Sequence, residues 1–173
     1  MDDLNKTSKA QVWTIDFLAG ATAMSVILLF FILLWNNSAN RWNNANEYRM
    51  MLTDAVFASE ALIATPGEPE NWEMFGQINN SNISAIGLAD GRNELNVLKI
   101  EKLVSQNSSS YSFVRQRLGL QKYEFGFRVT DLKKNVTYYQ YGQFAGGLNK
   151  SVIFDRIGII NGSAVILHME VWK

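Results

Sequence analysis

The chain has 173 residues, 16 basic and 16 acidic side chains, one His and no Cys. Zero net charge leaves no electrostatic case for nucleic acid as a partner. Without Cys there are neither disulfides nor thiolate metal sites, and one His, His168, cannot build a histidine cluster or a His-based triad. No metal and no cofactor are expected, and the domain must hold together by packing.

The first element in the chain is a short charged leader carrying Lys6 and Lys9, followed by residues 17–35, FLAGATAMSVILLFFILLW, 19 residues without a charge. As a helix this run covers roughly 28 Å, close to the hydrocarbon thickness of a bilayer. A helix apolar all round belongs in lipid or in an equally apolar bundle. The run is longer than the core of a cleavable secretory signal, and Asn36-Asn37-Ser38-Ala39-Asn40 after it offers no small-x-small cleavage site. It is read as a single-pass membrane anchor.

Helical spacing continues beyond it. Ala45, Tyr48, Leu52, Ala55, Val56, Leu62 and Ile63 predict an apolar stripe, with Asn46, Glu47, Arg49, Asp54 and Glu60 opposite. Thr65-Pro66-Gly67 ends the helix, since Pro lacks a donor and restricts the residue before it. A continuous helix over 11–63 would be about 80 Å long. The Asn-rich stretch at 36–40, whose side chains compete for the backbone, predicts a kink or a melted turn.

Residues 66–120 read as irregular with short helices at 70–75, 93–104 and 110–118, the last stopped by Gly119. Residues 121–173 read as four strands, at 123–130, 136–144, 151–160 and 163–172. Asn161-Gly162 between the last two is a strong hairpin signal. The fold class is therefore α+β: a long N-terminal helix, its first half membrane-apolar and its second half amphipathic, packed on a C-terminal antiparallel sheet of about four strands. With a two-residue turn at 161–162, Ile160 opposes Ser163 and Asp155 opposes His168. Ile153, Ile157, Ile159, Ala164, Ile166 and Glu170 share the face of that pair. The opposite face, with Leu167, is expected under the long helix, which seats Arg156 near the rim.

Chemistry-bearing patterns are few. Residues 87–91 and Gly146-Gly147 lack the Gly-Lys-Ser/Thr of a phosphate loop and read as turns. Asp90-Gly91-Arg92-Asn93 is too short and wrongly spaced for a calcium loop. Tyr138, Tyr139 and Tyr141 offer aromatic faces that suit sugar or surface binding, and are equally ordinary strand residues. No acid pair with an identifiable partner across a cleft suggests glycoside hydrolysis, and an enzyme is not expected.

Basic residues do not orient the anchor, because Lys6 and Lys9 before it match Arg41 and Arg49 after it. The sequons do. With 17 Asn and 20 Ser or Thr in 173 residues, chance gives roughly two Asn-x-Ser/Thr motifs, and eight are present, at Asn5, Asn36, Asn79, Asn82, Asn107, Asn135, Asn149 and Asn161. Seven follow the apolar run. A glycosylated domain outside the cell is expected, with Asn79, Asn82, Asn107, Asn135, Asn149 and Asn161 as candidate acceptors.

Lys9-Ala10-Gln11 directly before the apolar helix resembles the class III signal peptide of archaeal type IV pilin-like proteins. The likeness extends to TPGEPENWE at 65–73, to Ile86-Gly87-Leu88-Ala89, to residues 99–103, and to the closing strand, Asn161-Gly162, strand that ends on Val171-Trp172. It spans nearly the whole chain. The resemblance implies a prepilin peptidase that cuts between Ala10 and Gln11 on the cytoplasmic side, leaving a mature chain that keeps its apolar helix. Bacterial-type pilins carry Glu at the fifth mature position, opposite a neighbour's N-terminal amine; here that position is Ile15 and the acid is Asp16 at the sixth. The resemblance implies assembly, with Asp16 as the assembly residue. The partners would be the membrane, copies of this chain or related pilins, and the peptidase. The organisation would then be a leader (1–10), a transmembrane or filament-core helix (11–35), an amphipathic extension (36–65) and an extracellular head (66–173). The function expected is a structural subunit of an archaeal surface filament serving adhesion or a related surface role. An unprocessed single-pass protein with an extracellular binding domain stays open beside it.

Overall fold

The computed structural model describes residues 3–79, 82–133, 136–147 and 150–173, with side chains from Ile15 onward. The chain divides into two compact units, residues 1–47 and 48–173. Helix α1, Asp3–Ala64, runs through the boundary as one 62-residue helix. The turn at 36–40 is helical like its flanks, against the expected kink. Adding a residue to an existing helix fixes one residue per hydrogen bond, and Asn disfavours it by only a few tenths of a kcal/mol. Three Asn and one Ser between two long helical stretches do not open it.

In the second unit the last four turns of α1 belong to the head. Met51, Ala55, Ala58 and Leu62 are buried at i, i+4, i+7, i+11, with Ser59 and Ile63 beside them. This corrects the expected stripe: Tyr48 and Leu52 are exposed, while Met51 and Ala58 face the core. Ala55, Ala58 and Ser59 are buried there although they are small and weakly apolar, so fit to the core outweighs raw hydropathy.

The main sheet has six strands rather than about four. They are β3 (Ala89–Gly91), β4 (Glu94–Leu95), β5 (Glu124–Asp131), β6 (Thr137–Gly142), β7 (Ser151–Ile160) and β8 (Ser163–Trp172), in the order β3-β4-β7-β8-β5-β6. All pairings are antiparallel except β4–β7, which is parallel at Glu94 and Ile159. β1 (Gly67–Glu68) and β2 (Ala85–Ile86) form a separate two-stranded ribbon. The extra strands are two or three residues long, too short to carry alternation in sequence. Tertiary bonds hold them, such as Ile159 N–H to Asn93 O at 2.8 Å.

A single turn of 3₁₀ helix, Trp72–Met74, stands where a short helix was expected at 70–75. α2 spans Val97–Ser105 and α3 spans Asn107–Arg117. α2 begins four residues later than expected because Asn93 turns the chain at a φ of 61° and 94–95 pair into the sheet. Asn96 caps it, its Oδ1 accepting from Leu98 N (2.7 Å) and Lys99 N (3.2 Å).

The β7–β8 register is the expected one. Ile160 opposes Ser163, Asp155 opposes His168, and Ser151 opposes Trp172. Asn161 and Gly162 have φ of 49° and 76°, the left-handed pair of a two-residue hairpin turn. Val152, Val165, Leu167, Met169 and Val171 are buried on one face, while Ile153 and Ile157 are exposed on the other. Arg156 lies at the rim, its Nε 3.3 Å from Ser59 Oγ and 3.9 Å from Glu60 Oε2 of α1.

Candidate functional site

The first feature is the apolar part of α1. No side chain of the span is buried inside the protein, and Phe17, Phe30, Leu34 and Trp35 are each more than 60 % exposed. The hydroxyls in it are satisfied within the helix: Thr22 Oγ1 donates to Ala19 O at 2.9 Å and Ser25 Oγ to Ala21 O at 2.8 Å. Both hydroxyls of the segment are thus prepared for a medium without water. The helix is long and apolar enough to cross a membrane. Asp16 sits exposed at its start. By spacing, Asp16, Gly20 and Ala23 share one stripe of the helix, so the acid lies where small residues permit the closest helix approach. Ala10 and Gln11 fall inside the helical backbone of α1. Their side chains lie outside the described ones.

The second feature is the collar that receives the end of α1. Leu88 N donates to Leu62 O at 2.8 Å and Ala89 N to Thr65 O at 3.0 Å, which satisfies carbonyls at the helix terminus. Trp72, fully buried, donates its indole N–H to both Pro66 O and Gly87 O at 3.1 Å. Lys99, 1 % exposed, donates Nζ to Pro66 O and to Ala89 O at 3.0 Å, with Asp90 Oδ1 at 3.4 Å. A buried ammonium is costly unless hydrogen-bonded, and here two carbonyls and a carboxylate receive it. Gly87 permits the contact: a Cβ there would stand 2.0 Å from Thr65 O. The segments at 65–73, 86–89 and 99–103 are far apart in sequence and meet around one carbonyl, Pro66 O. Sequence reasoning did not single out Trp72, Gly87 or Lys99. Their only signal was the family likeness at 65–73, 86–89 and 99–103, which hold Trp72, Gly87 and Lys99 in turn, because a buried lysine leaves no mark in composition.

The third feature is the outer sheet face. His168 Nδ1 lies 2.6 Å from Asp155 Oδ1, an exposed cross-strand pair. Arg128 follows His168 across β8–β5, and its guanidinium stacks 4.0 Å over the Phe144 ring. On the core side Tyr141 is buried against Phe125 and Phe127, and burial pushes its phenol up to about 12 although Ser110 bonds its oxygen. Burial raises Tyr111 too, and its hydroxyl donates to Glu124 at 2.7 Å. Arg115 pairs with the same carboxylate. Among the described residues no three or more His, Cys, Asp or Glu converge as a metal site.

The candidate acceptor asparagines are unequal. Asn161 and Asn82 are exposed. Asn79 is half-buried. Asn107 opens α3, half-buried, and its Oδ1 accepts from Gly142 N at 3.1 Å, so it is no free loop residue. Asn135 and Asn149 lie outside the described residues.

No protein-family model, curated protein or solved structure matches this chain.

Proposed function

We propose that this chain is a pilin-like structural subunit of an archaeal-type surface filament, inserted in the membrane by the helix over 11–35 and released into the filament once a prepilin peptidase cuts between Ala10 and Gln11. The observation that carries the reading is α1 itself: apolar and exposed on every side along its first half, and continuous with the helix that the head packs on. Such a helix is stable in lipid and equally stable in a bundle of its own copies. A second support lies beyond the membrane run. Met50 and Phe57, seven residues apart on one flank of α1, are 44 % and 69 % exposed. Exposed apolar side chains outside the bilayer suit a neighbouring helix.

In this reading the head faces outward, glycans sit on exposed sequons such as Asn161, and Asp16 meets the freed amine of a neighbour. The test is the N-terminus of the native protein, by mass spectrometry of both sheared surface material and membranes. A chain beginning at Gln11 in the sheared fraction supports the filament. An intact Met1 confined to membranes overturns it in favour of an anchored extracellular binding domain. Asp16→Ala should leave membrane insertion intact and reduce filament incorporation; normal incorporation removes Asp16 from the mechanism.

A further inference from the structure

A cleft of about 380 Å³ opens at the end of the sheet where α2 begins, lined by Val97, Tyr138, Tyr139, Ile160, Asn161, Ser163 and Val165. Two of these, Asn161 and Ser163, are the first and third residues of one sequon, and all three sequon residues are exposed. The cleft is therefore bordered by the residue to which a sugar would be joined. Its wall is aromatic. Tyr138 is the extra residue of a bulge in β6, where Val129 pairs with Tyr139 and Thr130 with Thr137. Tyr138 remains 46 % exposed, while its hydroxyl is held by Asp131 Oδ2 at 2.8 Å. The neighbouring Tyr139 hydroxyl is held by Glu101 at 3.1 Å. Both rings are thus oriented before anything binds. A bulge beside a functional surface serves to re-aim a side chain, and this one turns a tyrosine toward the hairpin tip.

We infer that the cleft seats the proximal sugar of an N-linked glycan carried by Asn161 of the same chain. A pyranose presents an apolar face of C–H groups with hydroxyls at its edge. That pattern fits a tyrosine ring fixed by its own hydroxyl, with the apolar body exposed. The tether makes the binding intramolecular, so a shallow cleft suffices where it would hold free sugar poorly. The left-handed turn fixes the Asn161 backbone, which keeps the attachment point at the cleft mouth. The inference rests on the outward-facing reading of the head.

The test uses full-length chain purified from its native host. Ser163→Ala removes the acceptor motif without touching the left-handed Asn161. Ser163→Thr keeps the motif and serves as control. Tyr138→Ala removes the ring, and Tyr138→Phe keeps the ring without the Asp131 bond. Glycopeptide mass reports occupancy at each sequon; melting temperature and amide exchange over 137–142 report packing. The expected result is sugar on Asn161, with Ser163→Ala lowering the melting temperature by a few degrees and loosening 137–142. That effect should persist in Tyr138→Phe and vanish in Tyr138→Ala. A bare Asn161 beside occupied sequons overturns the inference and leaves the outward-facing head intact. No sugar at any sequon overturns the inference and removes the sequon support for an outward-facing head. An Asn161 glycan whose removal acts equally with and without the Tyr138 ring overturns the seating alone.

Discussion

Pro66 O is the acceptor on which the collar turns, and it has two donors. Trp72→Phe keeps an aromatic ring in the core but deprives Gly87 O of its donor, while Lys99 still serves Pro66 O. Leaving one buried carbonyl unpaired costs about 1–3 kcal/mol, and the smaller ring adds about 1 kcal/mol of unfilled volume. Lys99→Met keeps the stem, orphans Ala89 O, and leaves Trp72 on Pro66 O. Its cost falls at the low end, about 1 kcal/mol, because a desolvated ammonium is also removed. The exposed Asp90 carboxylate needs no replacement partner. The double variant leaves Pro66 O without a donor, so the two changes should exceed their sum by about 1–2 kcal/mol. The assay is denaturant unfolding of the full chain in detergent micelles, read by near-ultraviolet dichroism, with exchange of the Leu88 and Ala89 amides as the local probe. Additivity within about 0.5 kcal/mol would refute a shared acceptor.

Three further outcomes are expected. Tyr141 is held above the ordinary tyrosine value of 10.0, at about 12, so its neutral form is favoured in the fold. That stability is complete below pH 10 and is lost as pH rises toward 12, about 2–3 kcal/mol in all, and Tyr141→Phe should remove this part of the alkaline transition in a titration followed by phenolate absorbance. Asn161→Val places a branched side chain at positive φ and should cost about 1–2 kcal/mol in thermal melts of unglycosylated chain, whereas Asn161→Gly should cost almost nothing. Phe57→Asp should leave head stability unchanged, since Phe57 is exposed, and reduce recovery in sheared filaments; undiminished recovery would place that flank outside the bundle.

Where local chemistry sets structure, reading residues in order succeeded. Nineteen uncharged residues specify a span by length alone, and a left-handed Asn-Gly pair fixes the register of twenty strand residues, which is why the Asp155–His168 pairing and the position of Arg156 were legible. It failed where the deciding partner is remote. Met51 and Ala58, not Tyr48 and Leu52, face the sheet because helix rotation is set by the surface beneath it. β3 and β4 exist because Asn93 and Glu94 meet Ile159, a pairing across 65 or more positions that no short pattern announces. Asn107 sits in a sequon like any other, yet its amide oxygen is taken by Gly142.

The amino-acid order alone therefore determined the membrane-length helix, the α+β class, the strand hairpin and the set of chemistries that this composition excludes. Folding decided the rest. It gathered Pro66, Trp72, Gly87 and Lys99 into one collar and set a tyrosine bulge beside the Asn161 turn. The physical reason is range: hydropathy, capping and turn preference act within a few residues. The pairing of a buried carbonyl with its donors, or of a cleft with its sequon, depends on which distant segments the core brings together.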